Sequence, residues 1–70
     1  MRISVHRAHI ANAYNSLGVA YKQREEYARA LQYHVDAETI FESLGDDRGV
    51  ARTQLNRGVV LKGAGHLSTP

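Results

Sequence analysis

The sequence contains no cysteine, and its single proline is the last residue. Without cysteine, no disulfide, thiolate metal site or redox pair can support the fold, and without an internal proline no helix is interrupted. No apolar run approaches the roughly 18 to 20 residues of a membrane-spanning helix, and residues 1–10 lack the apolar stretch of a signal peptide. We therefore expect a soluble, cytoplasmic protein without membrane contact.

The chain is also short, with 70 residues and a mass of 7.8 kDa. A chain of this size buries only about 60% of the surface that it exposes when unfolded, so one domain with a marginal core is expected. Hydrophobic residues make up 43% of the composition and charged residues 23%, which excludes a wholly disordered chain. Most enzymes with a deep pocket need a longer chain.

Acidic residues are missing from most of the sequence. All seven acidic residues lie within residues 25–47, where Arg29 is the only basic residue, and the other basic residues lie on either side. If these thirds are separate elements, the first and last share a basic face and the middle one is acidic. Charge pairing between neighbouring elements would explain the same pattern equally well.

Apolar residues recur at steps of three and four over two long segments, which is the period of a one-sided helix. The spacing predicts one helix over about 8–23 and a second over about 27–44. Gly18 lies inside the first and costs on the order of 1 kcal/mol relative to alanine, so we expect a neighbouring helix to approach closely there. His34 lies on the apolar stripe of the second helix and is expected to pack in the core.

A glycine turn follows the second helix. Gly45 is placed as a left-handed C-cap residue, and Asp46 or Asp47 as the N-cap of a third helix over about 48–62. We expect the third helix to pack Leu55, Val59 or Leu61 against the second. After Gly63 and Gly65, residues 65–70 are predicted to form a frayed tail.

The chain also repeats itself at an offset of 40 residues, within the range of helical solenoids. The offset aligns four pairs of identical residues: Ala11 with Ala51, Gly18 with Gly58, Val19 with Val59, and Lys22 with Lys62. Within the first unit, an aromatic residue, a Leu-Gly pair, a tyrosine, and an alanine followed four residues later by a large residue resemble the tetratricopeptide repeat signature. These residues are Tyr14, Leu17, Gly18, Tyr21, Ala30 and His34.

The resemblance covers about residues 10–66 and implies an all-α, antiparallel helix-turn-helix fold. The spacing and the Leu44-Gly45-Asp46 turn resemble a long-spaced subclass found in polarity and spindle adaptors and in bacterial peptide-sensing regulators. One full repeat over about 11–47 is then followed by the first helix of a second over about 48–64. The second unit departs from the signature at Gln54 and Arg57, and we expect a fragment of a longer array or an unusually short protein.

The resemblance implies a non-catalytic adaptor or scaffold that holds a partner peptide in a concave groove between the first and third helices. An amide side chain can hold a peptide backbone of any sequence, and basic residues would favour an acidic ligand or a terminal carboxylate. The same residues could instead form the solvated face of two amphipathic helices. The expected groove residues are Asn12, Asn15, Ser16, Val19, Lys22, Arg52, Leu55, Asn56, Val59 and Lys62.

Self-assembly is the alternative function, because one and a half repeats leave an apolar face uncovered. Edge helices of two copies could stack or swap to form a homo-oligomer. Substitution of groove residues, including Asn15→Ala, should abolish peptide binding without changing the mass in solution, whereas Leu61→Glu or Leu67→Glu should disrupt self-association.

Other functions find little support in the sequence. There is no phosphate-binding loop or nucleophile elbow, so we expect no enzyme activity and no cofactor. His6 and His9 are three residues apart, but no carboxylate or cysteine lies near them in sequence, and no metal site is expected. The pI of about 9.3 is compatible with nucleic-acid binding. However, an acidic segment divides the basic residues, and the sequence contains no recognised nucleic-acid-binding motif.

Overall fold

The computed structural model describes the backbone of residues 2–68 and the side chains of residues 6–65. Three helices follow one another: α1 (Arg2–Gln23), α2 (Tyr27–Ser43) and α3 (Asp47–Ser68). Short turns make successive helices antiparallel, so α1 and α3 run in the same direction. Within the described range there is no strand, and the predicted all-α helix-turn-helix fold is confirmed.

Two helix ends differ from the prediction. The first helix begins at Arg2 rather than near residue 8, where neither glycine nor proline interrupts the chain. The third helix continues through residue 68, so the frayed tail predicted for 65–70 is wrong over its described part, and residues 69 and 70 lie outside the described range. Gly63 lies inside the helix and does not end it. Its lack of a side chain allows close packing, since a Cβ there would lie 3.1 Å from the ring of Tyr27.

The turn between α2 and α3 has the predicted geometry. Gly45 adopts a φ of 69°, and its N–H and that of Asp46 donate to the carbonyls of Glu42 and Phe41 over 3.1 and 3.0 Å. This is the Schellman arrangement, in which a left-handed residue satisfies the last carbonyls of a helix. Asp46 Oδ1 then accepts the N–H of Gly49 at 3.0 Å, which confirms Asp46 as the N-cap of α3.

The turn between α1 and α2 repeats this arrangement without glycine. Glu25 has a φ of 62°, and its N–H and that of Glu26 donate to the carbonyls of Lys22 and Tyr21, each over 2.9 Å. A side chain with a Cβ is disfavoured in this conformation by roughly 1–2 kcal/mol. The exposed Glu25 therefore stores backbone strain that Gly45 avoids.

The variant Glu25→Gly should be more stable than the wild type by about 1 kcal/mol, because glycine adopts positive φ without a steric penalty. The matched change Gly45→Ala should destabilise the chain by a similar amount, since it introduces the same strain in the second turn. Urea unfolding followed by circular dichroism measures both changes. A loss of stability in Glu25→Gly would show that its left-handed backbone is not strained.

Small residues let α1 and α2 pack closely. Ala11, Ala30 and Ala37 are fully buried, and the ring of Phe41 is 1% exposed. Gly18 is needed because a Cβ there would lie 2.6 Å from two atoms of the buried imidazole of His34. The close approach at Gly18 and the core position of His34 are therefore confirmed.

Aromatic side chains fill the space beside this close approach. Tyr33 of α2 stacks on Tyr21 with centroids 5.5 Å apart, and its ring also meets that of Tyr14 at 5.9 Å. Such ring pairs add about 0.5 to 1.5 kcal/mol beyond the area that they bury. The tyrosines of the repeat signature thus hold the α1–α2 hairpin together.

The face by which α3 packs differs from the prediction. Thr53 and Val60 are fully buried, whereas Leu55, Val59 and Leu61 are 68%, 44% and 55% exposed. Small or polar residues bring α3 close to the hairpin, since a Cβ at Gly49 would overlap the ring of Phe41. The prediction that Leu55, Val59 or Leu61 packs α3 against α2 is therefore wrong, because the buried residues of α3 are Thr53 and Val60 instead.

Candidate functional site

A furrow follows one stripe of α3, with α1 beside its first two cavities and Tyr27 of α2 beside its third. The stripe follows the three- and four-residue spacing of a helix face, and its members open into three cavities arranged along the axis. The first two cavities share Asn12 and Arg52, whereas the third shares no residue with them and begins one turn of α3 further on, where α3 meets Tyr27 of α2. The residues of the stripe are Arg48, Arg52, Asn56, Val59 and Gly63.

The first cavity, here the arginine cavity, lies at the N-terminal end of α3 and has a volume of about 480 Å³. The guanidinium of Arg52 donates to Asn12 Oδ1 at 2.6 Å and lies 5.5 Å from the centre of the Phe41 ring. The exposed side chain of Arg48 lies one turn earlier on the same stripe. The cavity is lined by Ala8, Asn12, Phe41, Asp46, Arg48, Gly49 and Arg52.

The second, the middle cavity, has a volume of about 220 Å³ and shares Asn12 and Arg52 with the first. It combines amide, hydroxyl and apolar groups from both helices. Its lining consists entirely of residues expected in the groove: Asn12, Asn15, Ser16, Val19, Arg52 and Asn56.

The third, the tyrosine cavity, has a volume of about 580 Å³ and lies toward the C-terminal end of α3. It contains the expected groove residues Val59 and Lys62 together with Tyr27 and Gly63. Most of this lining is apolar or aromatic, with the ammonium of Lys62 as its one charged group among the described residues. The chemistry of the furrow therefore changes from basic at one end to mainly apolar at the other.

A chain of hydrogen bonds beneath the middle cavity joins all three helices. Asn15 Nδ2 donates to Thr53 Oγ1 at 2.9 Å, and the Thr53 hydroxyl donates to the carbonyl of Gly49 at 2.8 Å. Asn15 Oδ1 is then an acceptor, so His34 Nδ1, 2.7 Å away, is the donor of the hydrogen bond between them. Burial lowers the pKa of His34, and the positive charges of Lys22 and Arg57 lower it further.

This network corrects the role expected for Asn15. The residue does not face away from α2; it is buried, and both ends of its amide are occupied by His34 and Thr53. An Asn15→Ala variant would leave His34 and Thr53 without these hydrogen bonds. It would therefore lower the stability of the fold and would not report on peptide binding alone. Within the middle cavity, Asn12, Ser16 and Asn56 remain the polar groups nearer to solvent.

Two other expected groove residues line none of the three cavities. Leu55 is 68% exposed. Lys22 lies on the α2 side of α1, where its charge acts on His34.

Seven residues that line the cavities are not among the expected groove residues, and two of them, Arg48 and Tyr27, bear on what the furrow can bind. Arg48 lies four residues before Arg52, and this spacing puts both on one helix face. Tyr27 is the first residue of α2, and only the passage of α3 at Gly63 brings it to the tyrosine cavity. The sequence carried a signal for Arg48 and none for Tyr27.

The acidic and basic residues are distributed unequally around the furrow. The largely buried carboxylate of Glu38 forms an ion pair with Arg57 and accepts a hydrogen bond from Gln54 at 3.2 Å. Burial alone would raise the pKa of Glu38, but the hydrogen bonds from Gln54 and Arg57 and the charge of Arg57 outweigh it and lower the pKa. Charge pairing between α2 and α3 therefore occurs, and it lies outside the furrow.

In contrast, the cations of the furrow have no acidic partner. Among residues 6–65, no carboxylate forms an ion pair with Arg48, Arg52 or Lys62. Asp46 is the one acidic residue in the three cavities, and its Oδ1 already caps α3. The furrow consequently has a net positive charge, which favours anionic groups.

The part of the chain that the structure describes contains neither a cluster of metal ligands nor a membrane-spanning helix. Among residues 6–65, no three histidine or acidic side chains lie together as possible metal ligands. Over the residues that the structure describes, none of the helices is both long and apolar enough to cross a membrane.

The arrangement of α1, α2 and α3 agrees with a comparison of the sequence with known families. No curated protein and no solved structure gives a significant match. A family model described as tetratricopeptide repeat matches residues 9–69, which is most of the chain. The chain therefore belongs to the tetratricopeptide repeat family.

Proposed function

We propose that the chain is a protein-interaction module that binds an extended acidic peptide in the furrow along α3. The observation that carries the proposal is that three unpaired cations, Arg48, Arg52 and Lys62, line the cavities along α3. Tetratricopeptide repeats generally mediate protein–protein interactions and are typically non-catalytic. The proposal assigns this general role to one surface and one class of ligand.

The middle cavity supports an extended backbone as the form of the ligand. Asn12, Ser16 and Asn56 offer donors and acceptors without a charge preference, which suits peptide groups of any sequence. The flanking cations attract carboxylates and raise the rate of encounter. Binding should therefore weaken as salt concentration increases.

Arg52→Glu should weaken the binding of a labelled glutamate-containing peptide by at least about tenfold, or 1.4 kcal/mol, because it replaces attraction with repulsion at the centre of the furrow. Asn56→Ala should weaken it less and without changing the salt dependence, since it removes hydrogen bonds only. Fluorescence anisotropy with a defined synthetic peptide measures both. The circular dichroism of each variant checks that it is folded.

Arg24→Glu provides the matched control. Arg24 is 69% exposed, lines none of the three cavities and pairs with Glu26 at the surface, so its reversal changes net charge equally. If Arg24→Glu and Arg52→Glu weaken binding to the same extent, the furrow is not the binding site. Failure of every acidic peptide to bind the wild type would also reject the proposal.

Self-assembly remains the second candidate, and the exposed face of α3 favours it. Leu55 and Leu61 are 68% and 55% exposed, and no described atom lies within 4 Å of a Cβ placed on Gly58. At the equivalent Gly18, that space holds the ring of His34 from a packed helix. Light scattering over a range of concentrations tests this candidate: a dimer that Leu61→Glu dissociates would support it, and a monomer throughout would reject it. The side chain of Leu67, the other suggested position, lies outside the described range.

The long-spaced subclass of the repeat is also part of the proposal. Its support is the register between α1 and α3, where Arg52 bonds to Asn12, a residue 40 positions earlier. In this view residues 11–47 form one full repeat and 48–64 the first helix of a second.

A further inference from the structure

We infer that the furrow selects peptides carrying an acidic side chain and an apolar side chain about six residues apart. The acidic side chain enters the arginine cavity and the apolar one enters the tyrosine cavity. This inference rests on the proposed function and adds the spacing and the chemistry of two positions on the ligand. It follows from the different linings of the two end cavities and from the length of helix between them.

The arginine cavity fits a carboxylate. Arg48 has no ion-pair or hydrogen-bond partner among the described residues, and Arg52 bonds only to the neutral amide of Asn12. Two guanidinium groups on successive turns can bind one carboxylate from two sides. The single carboxylate of the cavity, Asp46, is committed to the N–H of Gly49 and leaves the cavity with a positive charge.

The tyrosine cavity fits an apolar side chain. Val59 is 44% exposed within it, and the ring of Tyr27 and the bare backbone of Gly63 form much of the remaining wall. Its volume of about 580 Å³ is enough for a leucine or phenylalanine side chain. The ammonium of Lys62 at this end favours acidic character in the neighbouring part of the ligand.

The helix between the cavities sets the spacing. The arginine cavity is centred near Gly49 and the tyrosine cavity near Leu61, about 18 Å apart along α3 at a rise of 1.5 Å per residue. An extended peptide covers that distance in five or six residues at about 3.3 Å per residue. Since side chains of an extended chain alternate between two sides, an even separation of about six directs both into the furrow.

The experiment uses synthetic peptides of identical composition, with one glutamate and one leucine in a background of serine and glycine. The spacing is set at about six, about three or about nine residues, and each is made with glutamate first and with leucine first. Fluorescence anisotropy on the full chain should show at least about tenfold tighter binding at the spacing of six, in one of the two directions.

Two conservative variants assign each preference to its cavity. Arg48→Gln should remove the advantage of glutamate over glutamine in the peptide and retain the advantage of leucine over serine. Val59→Ser should do the opposite. Both residues are exposed, and neither side chain forms a hydrogen bond or ion pair among the described residues, so the fold should tolerate both changes.

The outcomes separate this inference from the proposed function. Equal binding at every spacing, with Arg52→Glu still weakening it, would overturn the two-cavity inference and leave the proposed function standing. Binding that depends on glutamate content alone would do the same. If no acidic peptide binds at any spacing, both fail.

Discussion

Gly18→Ala should destabilise the chain by about 2 kcal/mol, although alanine is normally the better helix former by about 1 kcal/mol. The added methyl group would lie 2.6 Å from Cε1 and Nε2 of His34, closer than real contacts allow, and the imidazole is too tightly held to move away. Overpacking of this kind costs roughly 1–3 kcal/mol, and here it would also strain the bond from His34 to Asn15. Urea unfolding followed by circular dichroism measures the loss.

Gly58→Ala is the matched control, because the repeat places Gly58 on α3 where Gly18 lies on α1. No described atom lies within 4 Å of a Cβ there, so only the helix preference of alanine acts and stability should rise by up to about 1 kcal/mol. The two substitutions should therefore have opposite signs. If both stabilise the chain, His34 can be displaced without cost and the packing at Gly18 is not the reason for the glycine.

The size of the effect matters because the chain has little stability to lose. At about 0.05 to 0.15 kcal/mol per residue, 70 residues correspond to about 4 to 10 kcal/mol in total. Phe41 is the largest fully buried side chain, and much of the remaining core consists of alanines. A loss of 2 kcal/mol would remove a large fraction of the total, so any binding assay on Gly18→Ala must be done where the variant is folded.

The fold was largely predictable because it depends on local patterns. Apolar spacing located three helices, and Gly45 with Asp46 identified one turn, since only certain residues suit a left-handed C-cap and an N-cap. The other turn was detected only as a polar break, because Glu25 carries a left-handed backbone that its residue type does not favour. The predicted end of the third helix was wrong because Gly63 lies within that helix and packs against Tyr27.

The site was less predictable, because it depends on how far each helix is rotated about its axis. The offset of 40 placed Asn12 opposite Arg52 correctly, and six of the expected groove residues surround one cavity. The offset could not show that Thr53 of α3 bonds to Asn15, because that requires knowing which face of α3 is buried. The apolar residues of α3 indicated a different face from the one that is buried. From sequence alone, a polar residue that is buried in the core cannot be distinguished from a polar residue that binds a ligand at the surface.

The buried imidazole of His34 should make folding sensitive to mild acid. Because its pKa is lowered in the folded chain, through burial and the charges of Lys22 and Arg57, the unfolded chain binds a proton first as pH falls. The contribution is fully present above the ordinary histidine pKa of about 6.5 and is lost progressively as pH falls from there toward the folded pKa. Glu38, whose pKa is lowered from the range of a carboxyl group, acts only in a more acidic window.

Three variants measured by urea unfolding between pH 8 and about pH 5 should isolate this effect. His34→Gln should unfold with a flatter pH dependence than the wild type, whereas the exposed His9→Gln should retain the wild-type slope. Asn15→Asp should reverse the contribution, because a carboxylate beside Nδ1 favours the protonated imidazole and raises the pKa of His34 above its unfolded value. Stability would then increase as pH falls through that raised pKa. An unchanged slope in both His34→Gln and Asn15→Asp would mean that the three-helix hydrogen-bond network does not hold a neutral histidine. A reversed pH dependence of stability in Asn15→Asp would show that the residue at position 15 determines whether His34 is neutral or protonated in the folded chain.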